Sequence, residues 1–296
     1  MQAMILAAGL GTRLKPHTLI RPKPLFPILN QPLLLLTVKR LQHLGFTKIV
    51  VNCHHLKEQV VAALYGVKDV IVEEEDTILG TGGGLRRALK HFDDAPLLVT
   101  NGDIYHTLDF MDLFRFHRES GLSVTLAMRN NQRFNSVTVR DGRVVSFDDR
   151  IKQSLLTFTG IHMVDPMVLM NIEKNNYSSI IDCYRKFLEN GLSIGCYRAD
   201  DCFWTDMGSP DDYMRLHAGL LKGEIPCWPE AGLVDGAFHI HERAALPSSV
   251  KPVDWACIGA GAVVGEGSYL ERVIVWDAVS IDPGSRLIDE IVSADI

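Results

Sequence analysis

The first half of the chain alternates short apolar runs with longer amphipathic ones, and this alternation constrains the fold more than any other feature. The short runs have the length of buried strands, and the longer ones have the spacing of helices with one apolar face. Such alternation is typical of a parallel sheet covered by helices on both faces. Strands are predicted over residues 3–8, 48–52, 69–73 and 96–101, and helices over residues 33–41, 56–65 and 83–92.

Beyond residue 101 the pattern predicts that the sheet becomes mixed. Asp141-Gly142 joins two short apolar runs, and this dipeptide tolerates the positive φ angles of a tight hairpin turn. We therefore predict a Rossmann-like α/β domain over residues 1–223, with a mixed, mainly parallel sheet. The further predicted strands are 123–129, 136–140 and 143–147, and the further helices are 109–116, 178–190 and 210–222.

The composition changes after residue 223. A stretch containing Pro, Gly and Trp covers residues 224–232, and aliphatic residues then recur every six positions, with one slip between Leu270 and Ile281. This rhythm is typical of a short β-helix, in which each turn stacks its aliphatic residue on the one below, although a tail with chance Gly-Val spacing is the alternative. Residues 224–296 are therefore predicted to be a linker and a hexapeptide-repeat β-helix. The aliphatic positions are Ile258, Val264, Leu270, Ile281 and Leu287.

The charge balance and the cysteines narrow the class of protein. A formal net charge of −6 gives no basic field for a nucleic acid. The six cysteines lack the close pairing of zinc or disulfide frameworks, so we expect reduced thiols and a cytoplasmic protein. Neither an export signal nor an apolar run of about 18 residues is apparent, so no membrane partner is expected.

A glycine-rich segment with nearby cations follows the first predicted strand. Gly9, Gly11 and Arg13 lie in it, and Lys23 comes ten positions after Arg13. Glycines let backbone N–H groups close on a phosphate, and cations neutralise its charge, so the segment is predicted to be an anion cradle rather than a chance surface turn. It is neither a P-loop, since no Gly-Lys-Ser/Thr closes it, nor a dinucleotide fingerprint, since Leu14 replaces the third glycine.

An acidic residue is predicted at the edge of the sheet. Asp103 follows an apolar strand in Asn101-Gly102-Asp103, which places it at the carboxyl end of a parallel sheet, where ligands of such folds bind. A carboxylate there suits Mg²⁺, which prefers oxygen ligands. A turn or helix-cap role is the alternative for such an aspartate.

The stretch Leu6-Ala-Ala-Gly-Leu-Gly-Thr-Arg-Leu, followed by Pro22-Lys-Pro-Leu, resembles the signature of the sugar-1-phosphate nucleotidyltransferases. These enzymes join a sugar 1-phosphate to a nucleoside triphosphate and release pyrophosphate. The resemblance implies that Lys23 stabilises charge on the reacting phosphates and that Arg13 shares in catalysis. It implies a nucleotide-binding set of Ala7, Ala8, Gly9, Gly11, Thr12, Arg13, Lys23 and Gly82.

The same resemblance implies the metal and sugar sides of the site. Asp206, followed by Gly-x-Pro, is implied to complete a Mg²⁺ site with Asp103. The family's Glu-Lys-Pro element is missing, so Lys152 is a candidate for the sugar phosphate, with an exposed loop lysine as the alternative. Residues 79–85 resemble the family loop that meets the nucleobase and sugar. The sugar-binding set that the resemblance implies is Gly83, Asn101, Thr159 and Gly160.

Two halves of the chain point to different substrates. Residues 1–219 most resemble N-acetylmuramate 1-phosphate uridylyltransferases, which favours UTP, whereas a C-terminal left-handed β-helix is typical of mannose-1-phosphate guanylyltransferases, which use GTP. A catalytically silent nucleotide-sugar sensor is the alternative function, and an acyltransferase on the β-helix a weaker one. The β-helix is also predicted to form a homo-oligomer. His54-His55 is read as loop, and the acidic residues 73–76 are predicted to be solvated at the rim.

Overall fold

The computed structural model describes residues 1–147, 154–232 and 235–295. Lys152, the candidate for the sugar phosphate, lies outside the described residues. The strands are β1 Gln2–Leu6, β2 Pro27–Ile28, β3 Gln31–Pro32, β4 Lys48–Cys53, β5 Val70–Glu74, β6 Leu97–Asn101, β7 Tyr105–His106, β8 Val124–Arg129, β9 Val137–Arg140, β10 Arg143–Ser146, β11 Leu155–Val164, β12 Ile194–Arg198, β13 Trp204–Thr205, β14 Phe238–Ile240, β15 Val253–Ile258, β16 Val263–Val264, β17 Tyr269–Val275, β18 Ser280–Ile281 and β19 Arg286–Val292.

Helices follow most of the predicted strands. Several begin with a capping side chain: Asp109 accepts hydrogen bonds from Met111 N–H and Asp112 N–H at the start of the fifth helix. The α-helices are α1 His17–Ile20, α2 Leu33–His43, α3 Lys57–Leu64, α4 Gly80–Ala88, α5 Phe110–Ser120, α6 Pro166–Leu169, α7 Ile180–Glu189 and α8 Pro210–Leu221.

The chain divides into two compact units. The first comprises Met1–Leu10 and Thr37–Trp204, and the second comprises Gly11–Leu36 and Thr205–Ile296. The division therefore assigns an N-terminal segment to the unit that holds the C-terminal strands. The predicted domain boundary at residue 223, which followed the change in composition, stays a prediction.

A nine-stranded mixed sheet forms the first unit, in the order β5-β4-β1-β6-β11-β8-β12-β10-β9. The four strands predicted from the apolar runs, β1, β4, β5 and β6, pair in parallel. Beyond β6 the pairing alternates, because β11 runs antiparallel to both β6 and β8. The α/β class and the change to a mixed sheet are both confirmed.

The predicted hairpin lies at this sheet's edge. β9 and β10 pair antiparallel, and Asp141 and Gly142 between them have φ angles of 48° and 70°. Both central residues therefore adopt the left-handed conformation that a tight two-residue turn requires. Strands β11 and β12 close the sheet beside this hairpin, and the apolar alternation of residues 194–198 was too short to predict β12.

Stacked parallel strands form much of the second unit. β14, β15, β17 and β19 pair in that order, and β16 pairs with β18. Register partners in β17 and β19, such as Glu271 and Ile288, are 17 residues apart. The five aliphatic residues that define the predicted repeat are all buried: Ile258, Val264, Leu270, Ile281 and Leu287.

Candidate active site

The ends of β1 and β6 lie side by side in the first unit. Leu6 is the register partner of Asn101, and Gly102 N–H donates a 2.8 Å hydrogen bond to Leu6 O. A Cβ on Gly102 would lie 3.2 Å from Ala7 Cβ, which is tighter than an ordinary contact, so glycine at this position eases the close approach of the two chain segments. The structure thus places the start of the glycine-rich segment and Asp103 at the same edge of the sheet, as predicted.

A buried hydrogen-bond chain fixes the backbone where the glycine-rich segment begins. Ala7 N–H donates to Asn52 Oδ1 at 2.9 Å, and Asn52 Nδ2 donates to Glu75 Oε1 at 2.7 Å. Glu75 Oε2 accepts from Leu79 N–H at 3.2 Å, and both Asn52 and Glu75 are buried. The carboxylate of Glu75 orients the Asn52 amide so that its oxygen faces Ala7. Sequence reasoning did not identify either residue.

The prediction that residues 73–76 are solvated was wrong in part, because Glu75 is buried whereas Glu74 and Asp76 are exposed. Glu73 is also buried, and Arg87, Lys90 and His91 surround its carboxylate at 2.6–2.9 Å. Burial alone raises the pKa of Glu73, but hydrogen bonds from Lys90, His91 and Arg87 outweigh it and lower the pKa to about 2. Neighbouring basic side chains therefore neutralise the charge of Glu73, and the run of acidic residues alone gives no sign of these partners.

The glycines at 80–84 pack a helix against another backbone segment. They lie in the first turns of α4, so the predicted loop at 79–85 is helical from Gly80. Gly82 N–H donates to Ser178 O at 2.8 Å, and a Cβ on Gly83 would lie 2.6 Å from Asn176 O. These glycines are needed for close packing, whatever further contact Gly82 and Gly83 make with a ligand.

Thr159 and Gly160 lie in an irregularity of β11. The register with β8 shifts between Phe158 and His162, and Gly160 has a φ of +80°. A Cβ on Gly160 would come within 2.6 Å of Asn101 Nδ2, so the structure brings these two predicted sugar-side residues together. The Thr159 hydroxyl donates to Ala127 O at 2.8 Å, so its hydrogen is already used in a hydrogen bond within the sheet.

In the second unit, the glycine-rich segment continues as an exposed turn. Gly11 is left-handed at φ 60°, and a Cβ there would lie 2.8 Å from Thr18 Cγ2. Thr12 and Arg13 are exposed in the 3₁₀ turn that follows. Glycine at position 11 is therefore required both by its backbone angle and by the close approach of Thr18.

Arg13, Lys23 and Asp206 converge in the second unit. Arg13 Nη2 lies 3.3 Å from Asp206 Oδ2, and Lys23 Nζ donates to the backbone oxygen of Asp206 at 2.6 Å. Gly208 N–H donates to Asp206 Oδ1 at 3.1 Å, while a Cβ on Gly208 would lie 2.8 Å from Arg13 Nη1. The Lys23 side chain is buried, whereas that of Arg13 is 61% exposed. Two cations and one carboxylate from distant parts of the sequence thus share one small site.

The donor set at Asp206 fits a hard divalent cation. Each carboxylate oxygen accepts one of the hydrogen bonds just described, and each has a second lone-pair direction that can face a metal. Within residues 1–147, 154–232 and 235–295, no three His, Cys, Asp or Glu side chains cluster as a metal site. A metal here would therefore take few protein carboxylates, which is the usual arrangement for Mg²⁺ bound with substrate phosphates.

The chain belongs to the nucleotidyl transferase family, whose model matches residues 2–223. It is 27% identical to UTP–glucose-1-phosphate uridylyltransferase of Synechocystis sp., over 99% of this chain and 87% of that protein. It is 28% identical to mannose-1-phosphate guanylyltransferase of Mycobacterium tuberculosis, over 96% and 82%. The inositol-1-phosphate CTP transferase of T. maritima has the same fold, with a TM-score of 0.61 and 20% identity over 76% of this chain and 98% of that one. In the part of the chain that the structure describes, no helix is long and apolar enough to cross a membrane.

Proposed function

We propose that the protein joins a sugar 1-phosphate to a nucleoside triphosphate and releases pyrophosphate. The observation that carries this proposal is the convergence of Arg13, Lys23 and Asp206 in the second unit. Phosphoryl-group transfer needs charge neutralisation and positioning rather than a protein nucleophile, because the phosphate oxygen of the sugar 1-phosphate is already ionised. The names of the Synechocystis and Mycobacterium relatives support the same reaction class.

The proposed roles follow the chemistry of each side chain. Arg13, exposed and able to leave Asp206, binds the β- and γ-phosphates together with the backbone of Gly9, Gly11 and Thr12. Lys23, held at Asp206 O, stabilises charge that develops on the reacting phosphates. Ala7, Ala8 and Gly82 complete the proposed nucleotide contacts.

We propose Mg²⁺ as the cofactor, with Asp103 and Asp206 as its ligands. When bound, the metal neutralises phosphate charge and makes the α-phosphorus more electrophilic. Asp206 is prepared for this role because Gly208 N–H orients its carboxylate. As the nucleotide enters, Arg13 would leave the Asp206 carboxylate and pair with a phosphate. The carboxylate would then be available to Mg²⁺, so that neither Arg13 nor the metal would lack a negatively charged partner.

The nucleobase and the sugar are proposed from the resemblance and the relatives. UTP is favoured and GTP is the alternative, since the relatives are named for both nucleotides. Gly83, Asn101, Thr159 and Gly160 are the proposed sugar-side residues, and the approach of Gly160 to Asn101 supports a shared role for these two.

The stacked strands of the second unit are proposed to form a left-handed β-helix that also mediates homo-oligomer contacts in a cytoplasmic protein. The 17-residue offset between paired strands supports a coil of three sides. Residues 1–223 are proposed as the catalytic domain and residues 224–296 as the linker and the β-helix. Small-molecule substrates are the only other partners proposed.

The test is pyrophosphate release with a panel of nucleoside triphosphates and sugar 1-phosphates. We expect turnover that requires Mg²⁺ and a decrease of about 100- to 1,000-fold in Asp206→Asn, because an essential charge contact is lost. Asp211→Asn, an exposed residue in the first turn of α8, is the matched control and should retain activity. Tight nucleotide-sugar binding without turnover for any pair would support a sensor instead.

A further inference from the structure

The segment that carries Lys23 is anchored to the stacked strands of the same unit. Arg21 Nη2 lies 2.8 Å from Asp277 Oδ1, and the Arg21 guanidinium lies 4.7 Å from the centre of the Trp276 ring. Trp276 is buried, so this contact joins an ion pair to a fixed aromatic surface. Arg21 is two residues before Lys23, with the stiff Pro22 between them.

Further contacts hold both flanks of this anchor. On the N-terminal side, His17 Nδ1 lies 2.7 Å from Ser293 Oγ. On the C-terminal side, the ring of Phe26 packs edge-on against Trp276 at 4.8 Å, and Asn30 Nδ2 donates to Ile258 O at 2.9 Å. The stacked strands therefore contact the segment 17–30 at several points, on both sides of Lys23.

We propose that Trp276 and Asp277 are positioning residues for Lys23. Through Arg21 and Phe26 they fix the backbone on either side of Lys23, whose Nζ then reaches Asp206 O. The stacked strands thereby hold in place the segment that carries Lys23. The inference rests on the proposed function, since it assigns a task to the proposed role of Lys23.

The anchor should matter for catalysis through the position that it gives to Lys23, more than for stability through the ion pair itself. An ion pair of this exposure contributes little to stability, because solvent screens its charges. A misplacement of a reacting group by about 1 Å, however, can lower the rate about 100-fold. Loss of the anchor should therefore affect catalysis more than folding.

The experiment compares Asp277→Asn with Asp289→Asn in the full-length protein. Asp289 likewise pairs with an arginine, but that arginine is Arg272 of the stacked strands, which donates to both oxygens of the Asp289 carboxylate. We expect Asp277→Asn to lower kcat/KM about 10-fold, mainly through kcat, and Asp289→Asn to leave it unchanged. Arg21→Gln should lower kcat/KM at least as much as Asp277→Asn, because it also removes the contact with the Trp276 ring, and the double variant should be no worse than Arg21→Gln alone, because the ion pair is already lost there.

Hydrogen exchange supplies a readout that does not depend on turnover. Leu25 N–H donates to Pro22 O and Phe26 N–H donates to Lys23 O, so these amides report on the turn that holds Lys23. Their exchange should accelerate in Asp277→Asn and not in Asp289→Asn. Equal exchange and equal kcat/KM in the two variants would overturn the positioning role. Absence of turnover in the unmodified protein would instead overturn the proposed function, and the exchange result would still stand.

Discussion

At the scale of single residues, the hydrogen bonds from Ala7 through Asn52 to Glu75 show how a buried carboxylate can fix the backbone of a loop. The Asn52 amide has two distinct ends, and each faces the partner that suits it: an N–H at Oδ1 and a carboxylate at Nδ2. A carboxylate at position 52 would match Ala7 N–H equally well but would face Glu75 as a like charge. The pair therefore tolerates only one negative charge.

We predict that Asn52→Asp lowers the free energy of unfolding by about 3–5 kcal/mol, the range for a buried charge left without compensation. The double variant Asn52→Asp/Glu75→Gln should recover most of this loss, because a glutamine amide can donate to the new carboxylate and still accept from Leu79 N–H. Denaturant unfolding at pH 7.5 measures both effects. Additive losses in the double variant would contradict the pairing.

His162 is a second residue whose chemistry is set by its surroundings. Its imidazole is buried against the rings of Phe158 and Tyr184, and neither ring nitrogen has a hydrogen-bond partner among the described residues. Burial lowers its pKa from 6.5 to about 3. Between these two pH values the His162 side chain binds a proton in the unfolded chain but not in the folded one. The neutral His162 is therefore compatible with full stability above pH 6.5, and stability is lost as the pH falls towards 3.

Replacement of His162 by phenylalanine should remove this loss. His162→Phe keeps a ring against Phe158 and Tyr184 and deletes two unpaired polar atoms. Its advantage over the unmodified protein should grow by about 1.4 kcal/mol for each pH unit below 6.5. Thermal or denaturant unfolding at several pH values measures the difference, and parallel curves would show that His162 does not titrate in this way.

At the scale of elements, the apolar runs were sufficient to predict the parallel strands, because a strand buried on both faces is continuously apolar. The hairpin at Asp141-Gly142 was predictable for a local reason, its positive φ angles. The glycines of α4 were not, because glycine favours loops when only the sequence is considered. Their explanation is the backbone of residues 176–178, nearly a hundred residues further along the chain.

A contrast between two glycines tests that explanation. Gly83→Ala should lower the melting temperature, because its Cβ would lie 2.6 Å from Asn176 O, although alanine favours a helix by about 1 kcal/mol. Gly9→Ala should leave the melting temperature unchanged, since no atom lies within 4 Å of its Cβ position. If Gly83→Ala were instead stabilising, helix propensity would outweigh the close approach and α4 would have room to shift.

At the scale of the whole molecule, the six-residue repeat could be predicted from the sequence, but the segment of the chain that the repeat region contacts could not. The buried aliphatic positions follow from local spacing. The grouping of Gly11–Leu36 with Thr205–Ile296 does not, because it depends on contacts between residues far apart in sequence. The candidate site divides in the same way: the signature residues could be recognised, whereas Asn52, Glu75, Trp276 and Asp277 carry no local signal.

A truncation after Gly223 tests the predicted domain boundary. It removes Trp276, Asp277, Ser293 and Ile258, which contact the segment 17–30, so we expect the remaining chain to lose cooperative unfolding. Circular dichroism during thermal unfolding measures this loss. A sharp transition in the truncated chain would show that residues 1–223 fold as an independent domain.

The pairing of Arg21 with Asp277 also has a consequence for biosynthesis. The two residues are 256 positions apart, so the ribosome releases the Lys23 segment long before its anchor exists. Domains generally fold as they emerge, but Phe26 has no Trp276 to pack against until residue 276 has been synthesised. The contacts that hold the Lys23 segment therefore cannot form until Trp276 and Asp277 have been synthesised, so the proposed positioning of Lys23 is a late event in biosynthesis relative to the synthesis of Lys23 itself.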